Sequence, residues 1–343
     1  MASGWMMQSG LNLSMNEALV ALRAAGEETR LRILALLADG ELSVSDLTDI
    51  LGQSQPRISR HLKLLVESGL VERHREGAWA FFRLADRATA TRLLHPLLDA
   101  LDGADPHVDA DKARLQAKRR QRAEAAQAYF ARIAPKWDEL RSLHAAEHDV
   151  EEAVRGALGD APIRNLIDLG TGTGRMLGLL APLASRVVGL DASHAMLSVA
   201  RANLEKAGVG RIELRQGDIH APPVEANAFD LVVIHQVLHY LDDPARALRE
   251  ATRLVAPGGR MLIVDFAPHG LEFLREKQAH RRLGFSHEQI GDWLEEAGLD
   301  CTLTRDLPPP QGTRDALTVS IWLGQDRRVR TDWPLQPNNR EVA

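Results

Sequence analysis

Apolar residues recur at the spacing of short amphipathic helices through the first third of the chain. One such helix has a thick leucine-rich face and ends at Gly40, and another begins at Ser54, a suitable N-cap, with Pro56 in its first turn. From 70 to 84 the pattern changes to alternation around a turn at 76–78, which predicts a two-stranded hairpin. The helices predicted here span 16–25, 27–38, 43–51, 54–68 and 86–101.

The second half of the chain alternates short apolar runs with helical patterns. That alternation predicts a parallel sheet covered by helices on both faces. A breaker at 103–106 separates the halves, and a basic helix follows it. We therefore predict two domains, 14–103 and 129–324, joined by a helical linker at 104–128 and followed by a flexible tail at 325–343.

The segment 165–177, NLIDLGTGTGRML, carries the strongest chemical signal in the chain. An apolar run reaches Asp168, and Gly170, Gly172 and Gly174 then occupy alternate positions. Glycines allow a tight turn and the close approach of a ligand, and the following helix offers free N–H groups. Asp191 ends the next predicted strand, at the usual distance for a carboxylate that accepts hydrogen bonds from ribose hydroxyls.

Two details distinguish this loop from other glycine-rich turns. Its spacing is D-x-G-x-G-x-G rather than G-x-G-x-x-G, and no lysine follows as in a phosphate-binding P-loop. Together with the segment 217–266, the loop resembles the class I S-adenosylmethionine (SAM) methyltransferases, nearest to those of the ubiquinone-biosynthesis type, over roughly 125–324. The alternative is an α/β domain without a nucleotide ligand, in which the glycines serve only packing.

The resemblance implies a Rossmann-like α/β fold and a set of contacts to the cofactor. Asp191 is expected to accept from the ribose hydroxyls, Met196 to pack on the adenine, and Asp218 to meet the adenine amine. Tyr129 and Trp137 match a cap helix over the cofactor, with packing of cap against core as the alternative for both. The expected cofactor-binding residues are Asp168, Gly170, Gly172, Gly174, Asp191, Ala192, Met196, Asp218, Ile219, His235 and Tyr129.

Methyl transfer from a sulfonium is an in-line displacement with an activated leaving group, so an enzyme mainly has to position and deprotonate the acceptor. The candidate catalytic bases are His235 and His239, with His269 and Asp265 near the same strand ends, and no spacing singles out one of them. No cysteine lies near this site, which excludes thiol-dependent arsenite methylation. The basic residues at 280–287 either contact an acidic acceptor or, as the favoured alternative, form a solvated face.

The first domain has the order of helices and strands of a winged helix-turn-helix. Its sequence from ETRLRILALL to AWAFFRL closely resembles the ArsR-type family of arsenic- and zinc-sensing repressors, and the resemblance covers about 16–101. Between 54 and 83 six basic residues stand against three acidic ones, a positive patch in an acidic protein. A protein-binding winged helix with a solvated basic face is the alternative.

The resemblance and the charge pattern together indicate which side chains contact DNA. The first turns of the helix at 54–68 lie where a recognition helix meets the major groove, and the hairpin arginines would reach phosphates. The residues expected to contact DNA are Gln55, Arg57, Ser59, Arg60, Lys63, Arg73 and Arg75, with Arg83 as a further phosphate contact.

Metal-sensing members of the family carry two cysteines in E-L-C-V-C-D-L, where this chain has Ser43 and Ser45. Serine hydroxyls are poor ligands for soft metals, so we expect no metal site here. A second family site on the closing helix is incomplete, with Asp86, His95 and Asp99. That helix also has an apolar stripe too large for a small domain to bury alone. The resemblance implies a homodimer through the first and last helices of the domain, bound to a double-stranded DNA operator with two half-sites.

Composition indicates the kind of DNA contact, the redox chemistry and the cell compartment that we expect for these two domains. The 343 residues include 42 basic and 47 acidic side chains, a net charge of −5, so any DNA contact must come from a local patch. Cys301 is the sole cysteine, which excludes an internal disulfide, and its apolar segment predicts a buried thiol. No run reaches membrane-spanning length and no secretory signal pattern is present, which predicts a cytoplasmic protein without membrane contact.

Two functions remain open on these observations. The first is a DNA-binding transcriptional regulator whose second domain senses SAM or S-adenosylhomocysteine (SAH). The missing thiolate site favours it slightly, because the repressor half then needs another signal. The alternative is an active SAM-dependent methyltransferase, acting on a small-molecule acceptor and fused to its own DNA-binding regulator.

Overall fold

The computed structural model describes residues 13–76, 79–85, 93–134, 147–209, 212–309 and 317–328. The chain divides into two compact units, Met1–Ala126 and Gln127–Ala343. Asp86, Trp137 and residues 329–343 of the predicted tail lie outside the described residues, whereas Gln325 and Asp326, which the prediction assigned to that tail, belong to the last strand, Val319–Asp326.

Helices make up most of the first unit, and two of them begin at polar capping residues. The helices are α1 (Met15–Ala25), α2 (Glu28–Leu37), α3 (Val44–Leu51), α4 (Gln55–Glu67) and α5 (His95–Asp99). Ser14 and Ser43 each form a capping box with the acidic residue three positions on. Ser54 stands at the N-cap of α4, as predicted, but its hydroxyl makes no capping hydrogen bond.

A small antiparallel sheet completes the winged helix-turn-helix. Its strands β1 (Leu42–Ser43), β2 (Val71–Glu76) and β3 (Trp79–Leu84) lie in the order β1–β3–β2. The core of the unit joins α2, α3 and α4 through side chains such as Ile33, Leu47 and Leu62.

One long helix, α6 (Pro106–Ile133), begins at the predicted breaker between the two halves of the sequence. Leu115, in its third turn, is buried in the core of the first unit. The first part of α6 is therefore packed against the first unit, although basic residues such as Lys112 and Arg120 are exposed.

The second unit alternates helices and strands. In chain order they are α7 (Glu147–Leu158), β4 (Ile163–Leu169), α8 (Arg175–Leu180), β5 (Ala184–Asp191), α9 (His194–Lys206), β6 (Ile212–Gln216), β7 (Phe229–His235), α10 (Pro244–Leu254), β8 (Val255–Phe266), α11 (Phe273–Lys277), α12 (His287–Glu296), β9 (Leu299–Leu307) and β10 (Val319–Asp326).

The strands form a seven-stranded sheet in the order β6–β5–β4–β7–β8–β10–β9. β4 to β8 run parallel, and β10 lies antiparallel between β8 and β9. Successive residues of a strand point to opposite faces, and both faces are apolar here: Leu231 belongs to one core cluster and Val232 to the other. The predicted Rossmann-like sheet is confirmed, with an antiparallel edge that the sequence pattern did not resolve.

Cys301 corrects one expectation. It is exposed on β9, the outermost strand of the sheet, where most side chains face solvent. The prediction of a buried thiol was wrong because an edge strand lacks the second layer that covers the inner strands. Among the described residues, no helix is long and apolar enough to cross a membrane.

Replacing two glycines of this unit with alanine should change the free energy of unfolding in opposite directions. A Cβ added to Gly189 on β5 would stand 2.6 Å from Leu177 Cδ1 and 2.8 Å from Leu214 Cδ2. We expect Gly189→Ala to lower the free energy of unfolding by roughly 1–3 kcal/mol through overpacking. Gly291, inside α12, has no heavy atom within 4 Å of an added Cβ. Gly291→Ala should raise that free energy by roughly 0.5–1 kcal/mol.

Urea denaturation of the full chain, followed by far-ultraviolet circular dichroism, measures both changes. A Gly189→Ala midpoint at or above that of the unsubstituted protein would contradict the tight packing of α8 and β6 against β5.

Candidate functional sites

The glycine-rich loop follows β4 directly and turns the chain into α8. Gly170, Gly172 and Gly174 all have positive φ angles, between 53° and 83°, which other residues rarely adopt. A Cβ on Gly170 would also stand 2.4 Å from Val237 Cγ2. The loop conformation therefore depends on glycine, as the spacing predicted.

Two carboxylates hold this loop. Thr171 Oγ1 donates a hydrogen bond of 2.7 Å to the buried Asp168 at the end of β4. Asp191, at the end of the neighbouring strand β5, accepts from the Gly172 N–H and the Ser193 N–H, each at 2.8 Å. Burial raises the pKa of Asp191 above its ordinary value, although both backbone hydrogen bonds act to lower it. The structure thus brings together Asp168, the glycines and Asp191.

Past Asp191, the chain enters α9 through a capped turn. Ala192 is exposed, Ser193 caps the helix by accepting from the Met196 N–H at 3.3 Å, and Met196 itself is buried in the first turn. An exposed alanine and a buried methionine thus follow the carboxylate within the same turn.

The turn after β6 contains a histidine that the sequence reasoning missed. His220 approaches Asp218 Oδ1 with its backbone N–H at 2.9 Å and with Nδ1 at 3.0 Å, and its Nε2 lies 3.1 Å from the Asp243 carbonyl oxygen. Both ring nitrogens thus face acceptors, which a doubly protonated ring satisfies. Ile219, between these two residues, is buried.

The titration of this pair follows from its geometry. Burial acts to lower the pKa of His220, but the hydrogen bonds and charges of Asp218 and Asp243 outweigh it and raise that pKa. The bond from His220 in turn lowers the pKa of Asp218. The only local signal in the sequence was a histidine two positions after Asp218.

The ends of β7 and β8 bring a histidine and an aspartate together. His235 is half-buried at the end of β7. His239, which lies in the turn Leu238–Tyr240, has its Nδ1 2.7 Å from Asp265 Oδ1, and both side chains are buried. The carboxylate holds the Nδ1 proton, which leaves Nε2 as the accepting nitrogen. His239 Nε2 has no hydrogen-bond partner within the described part of the chain.

Aromatic rings surround this pair. The centroid of the His239 ring lies 4.0 Å from that of Tyr240 and 4.3 Å from that of His280, and Phe130 packs edge-on against Tyr240 at 4.8 Å. Burial raises the pKa of Tyr240 well above its ordinary value, with smaller contributions from Tyr129 and Asp265. Burial also raises the pKa of Tyr129, which is half-buried.

The basic segment after α11 differs from the favoured expectation of a solvated face. His280 and Arg282 are buried, and the N–H groups of Arg281 and Arg282 donate to the His239 carbonyl oxygen at 2.8 Å and 3.0 Å. Arg281 also pairs with Asp242 at 2.8 Å. The segment is fixed against the turn that carries His239, and of the predicted residues His287 alone is exposed, 3.3 Å from Asp306.

In the first unit, α4 has one apolar face and one polar face. Ile58, Leu62 and Leu65 are buried. The five residues predicted to contact DNA from this helix are all exposed: Gln55, Arg57, Ser59, Arg60 and Lys63.

The hairpin bears the remaining predicted DNA contacts. Arg73 and Arg75 are exposed on β2. Arg83 instead pairs with Glu72 across the hairpin at 3.1 Å. Its contact with phosphate stays a prediction.

At the position of the metal-sensing cysteines, Ser43 Oγ and Ser45 Oγ lie 2.9 Å apart. Within the described ranges no group of three or more His, Cys, Asp or Glu side chains is placed to hold a metal ion. His95 and Asp99 stand on α5, and Asp86 lies outside those ranges.

Known proteins match both units separately. Residues 27–73 match the family described as "Bacterial regulatory protein, arsR family", and residues 167–263 match the family described as "Methyltransferase domain".

Among curated relatives, the demethylmenaquinone methyltransferase of Thermus thermophilus is 37% identical over 144 residues, which cover 40% of this chain and 64% of that protein. The ubiquinone biosynthesis O-methyltransferase of Paracidovorax citrulli is 32% identical over 136 residues, covering 38% and 57%. An uncharacterized 37.1 kDa protein in transposon TN4556 of Streptomyces fradiae is 38% identical over 129 residues, covering 37% and 36%.

These alignments cover less than two thirds of each relative's own length. The two family matches lie in different units of the chain and each coincides with the fold described for that unit. The chain therefore joins a helix-turn-helix region of the ArsR family of bacterial regulatory proteins to a class I methyltransferase domain whose fold implies SAM binding.

Proposed function

We propose that this protein is a transcriptional regulator that binds double-stranded operator DNA through its first unit and senses SAM or SAH through its second. The observation that carries the proposal is the hydrogen bond from the Gly172 N–H of the glycine loop to Asp191. In the same chain, the DNA-binding domain has Ser43 and Ser45 where metal-sensing members of the family have two cysteines. A regulator without that metal signal needs another ligand, and the second unit supplies a site for one. Its place of action is the cytoplasm, where an operator is accessible.

The residues at the loop fit the cofactor. Val237 excludes any side chain at Gly170, which keeps the loop in its glycine conformation, and the Asp191 carboxylate keeps lone pairs for two ribose hydroxyls beyond its hydrogen bonds from two backbone N–H groups. Asp218 keeps its second oxygen for the adenine amine, because His220 uses only the first. The remaining proposed contacts are Asp168, Gly172, Gly174, Ala192, Met196, Ile219, His235 and Tyr129.

The proposed reading mode is that of a dimer on two half-sites. Arg57 and Arg60 would meet base edges from α4, while Arg73 and Arg75 would contact phosphates. On α1, Met15 is 81% exposed, and Leu19 and Leu22 lie on the same side, also exposed. An exposed apolar stripe on a helix favours association, and a homodimer would cover it.

One observation favours a second function, an active methyltransferase with a small-molecule acceptor. The buried pair of His239 and Asp265 has the arrangement of an oriented general base, with Nε2 left to accept a proton. Bound SAM would supply an activated methyl group on a sulfonium. In this function Asp265 fixes the tautomer, His239 takes the acceptor proton, and the rings of Tyr240 and Phe130 keep water from the site.

Asp191→Ala should weaken SAH binding by roughly 2–4 kcal/mol, because the ribose hydroxyls lose a charged acceptor. Isothermal titration calorimetry with SAH measures the loss. Glu213→Ala is the control, since Glu213 is an acidic residue on β6 paired with Arg215 outside the proposed site. An affinity for Asp191→Ala within threefold of the unsubstituted protein would place the ligand elsewhere.

Arg57→Ala and Arg60→Ala should each weaken specific DNA binding by roughly 1–3 kcal/mol per lost base contact. Arg75→Ala should instead lower the slope of log affinity against log salt by about one, without changing sequence preference. Fluorescence anisotropy on a duplex selected from a random pool measures both effects, with the exposed Arg253→Ala on α10 as control. Unchanged affinity in both α4 variants would remove that helix from the reading surface.

If the second function holds, His239→Gln should lower methyl transfer from labelled SAM into a small-molecule extract by about 100-fold or more, the usual contribution of a general base. His287→Gln, an exposed histidine on α12, is the control. Transfer by His239→Gln at the unsubstituted rate would eliminate the proposed base, and no transfer by the unsubstituted protein would leave the sensing function alone.

A further inference from the structure

The linker helix α6 makes charged contacts with α3, the first helix of the reading motif. Arg114, Lys118 and Arg122 recur every four residues and so share one face of α6. Lys118 Nζ contacts Asp46 at 3.4 Å and also pairs with Asp49, and Arg122 pairs with Asp46. Arg114, Lys118 and Arg122 of α6, with Asp46 and Asp49 of α3, are called the α3 clamp below.

Asp46 is the centre of the α3 clamp. Its side chain is 3% exposed, and it caps α3 by accepting the Ser43 N–H at 3.2 Å. Burial acts to raise its pKa, but the charge and hydrogen bond of Arg122 outweigh burial and lower it. A buried carboxylate that stays ionised depends on its cationic partners, because losing one leaves an uncompensated charge. The position of α3 is therefore tied to Lys118 and Arg122.

Further contacts fix the start of α6 to the same unit. Arg32 on α2 donates to both oxygens of the buried Asp111, at 2.7 Å and 2.9 Å. Arg114 donates to the Ile50 carbonyl oxygen in the last turn of α3, a favourable place for a cation. Because Asp111 is held on α2, a displacement of α6 would act mainly through its later contacts, at Lys118 and Arg122.

The α3 clamp lies next to the position of the family's metal-binding cysteines. Asp46 directly follows Ser45, and Ser43 and Ser45 stand where metal-sensing members of the family carry cysteines. Two cationic side chains of α6, Lys118 and Arg122, contact Asp46 at this point of α3. Five residues after Arg122, at Gln127, the chain enters the second unit, where Phe130 of the same helix packs on Tyr240, next to His239.

We propose that Lys118 and Arg122 are positioning residues that act through Asp46. The ligand of the second unit changes DNA affinity by altering the contacts of these two residues with Asp46 on α3. This inference rests on the proposed sensing function. α3 contacts α4 directly, so a change in the α3 clamp reaches the reading residues without any metal. Lys118 and Arg122 need not touch DNA for this role.

The experiment measures affinity for a selected DNA duplex of roughly 30 base pairs, long enough for two half-sites one helical turn apart, with and without saturating SAH. For the unsubstituted protein we expect the two affinities to differ by roughly 5-fold to 150-fold, the usual range of coupling between two sites. In Arg122→Gln and Lys118→Gln that ratio should fall to within about twofold of unity, while calorimetry still shows SAH binding. Arg120→Gln, exposed on the same helix, is the matched control and should keep the full ratio.

A second variant separates regulation from simple loss of structure. Arg122→Gln removes one cationic partner of the buried Asp46, so it can lower the free energy of unfolding in addition to changing regulation. The double variant Asp46→Asn with Arg122→Gln removes both charges at nearly constant volume, and it should fold, bind SAH and bind DNA with an affinity that no longer depends on SAH.

The outcomes distinguish the two proposals. If neither saturating SAH nor, in a parallel titration, saturating SAM changes the DNA affinity of the unsubstituted protein, both the sensing function and the proposed role of the α3 clamp are overturned. If SAH changes that affinity by the same factor in the unsubstituted protein, the single variants and the double variant, sensing stands and the α3 clamp is overturned.

Discussion

A parallel sheet buried on both faces can carry polar side chains only near the ends of its strands, because there is no solvent to hydrate them in between. In this protein that constraint collects Asp168, Asp191, His235 and Asp265 at the carboxyl ends of β4, β5, β7 and β8. At the centre of the sheet, β7 is buried from Phe229 to Ile234. The polar side chains of the candidate site therefore lie at the strand ends because the apolar core excludes them from the middle of the sheet.

Features that depend on local sequence could be predicted. The glycines at 170, 172 and 174 were recognisable because positive φ angles restrict the residue type, and the start of α4 was recognisable from Ser54, which stands at its N-cap. The carboxylate at Asp191 was predictable because a parallel strand order brings the ends of β4 and β5 side by side.

Contacts between distant residues could not be predicted. His239 and Asp265 are 26 positions apart, and Arg32 and Asp111 are 79 apart, with nothing in either neighbourhood that announces the partner. Cys301 looked buried because its strand pattern does not reveal that β9 is the edge of the sheet. The pairing of Arg83 with Glu72 was not predicted, because the cross-strand register is a property of the folded hairpin. In each case the missing information was the pairing of elements, not the type of element.

His220 has a consequence for how the protein responds to acidity. A ring that donates to both Asp218 and the Asp243 carbonyl oxygen must carry two protons, and its pKa is raised accordingly. Folding therefore takes up a proton at this position. The stability that the ring contributes is complete below the pKa of histidine in the unfolded chain and is lost as the pH rises through the raised value. Alkalinisation would free the turn after β6 from the segment that precedes α10, so this turn is held more firmly at mildly acidic pH than at alkaline pH.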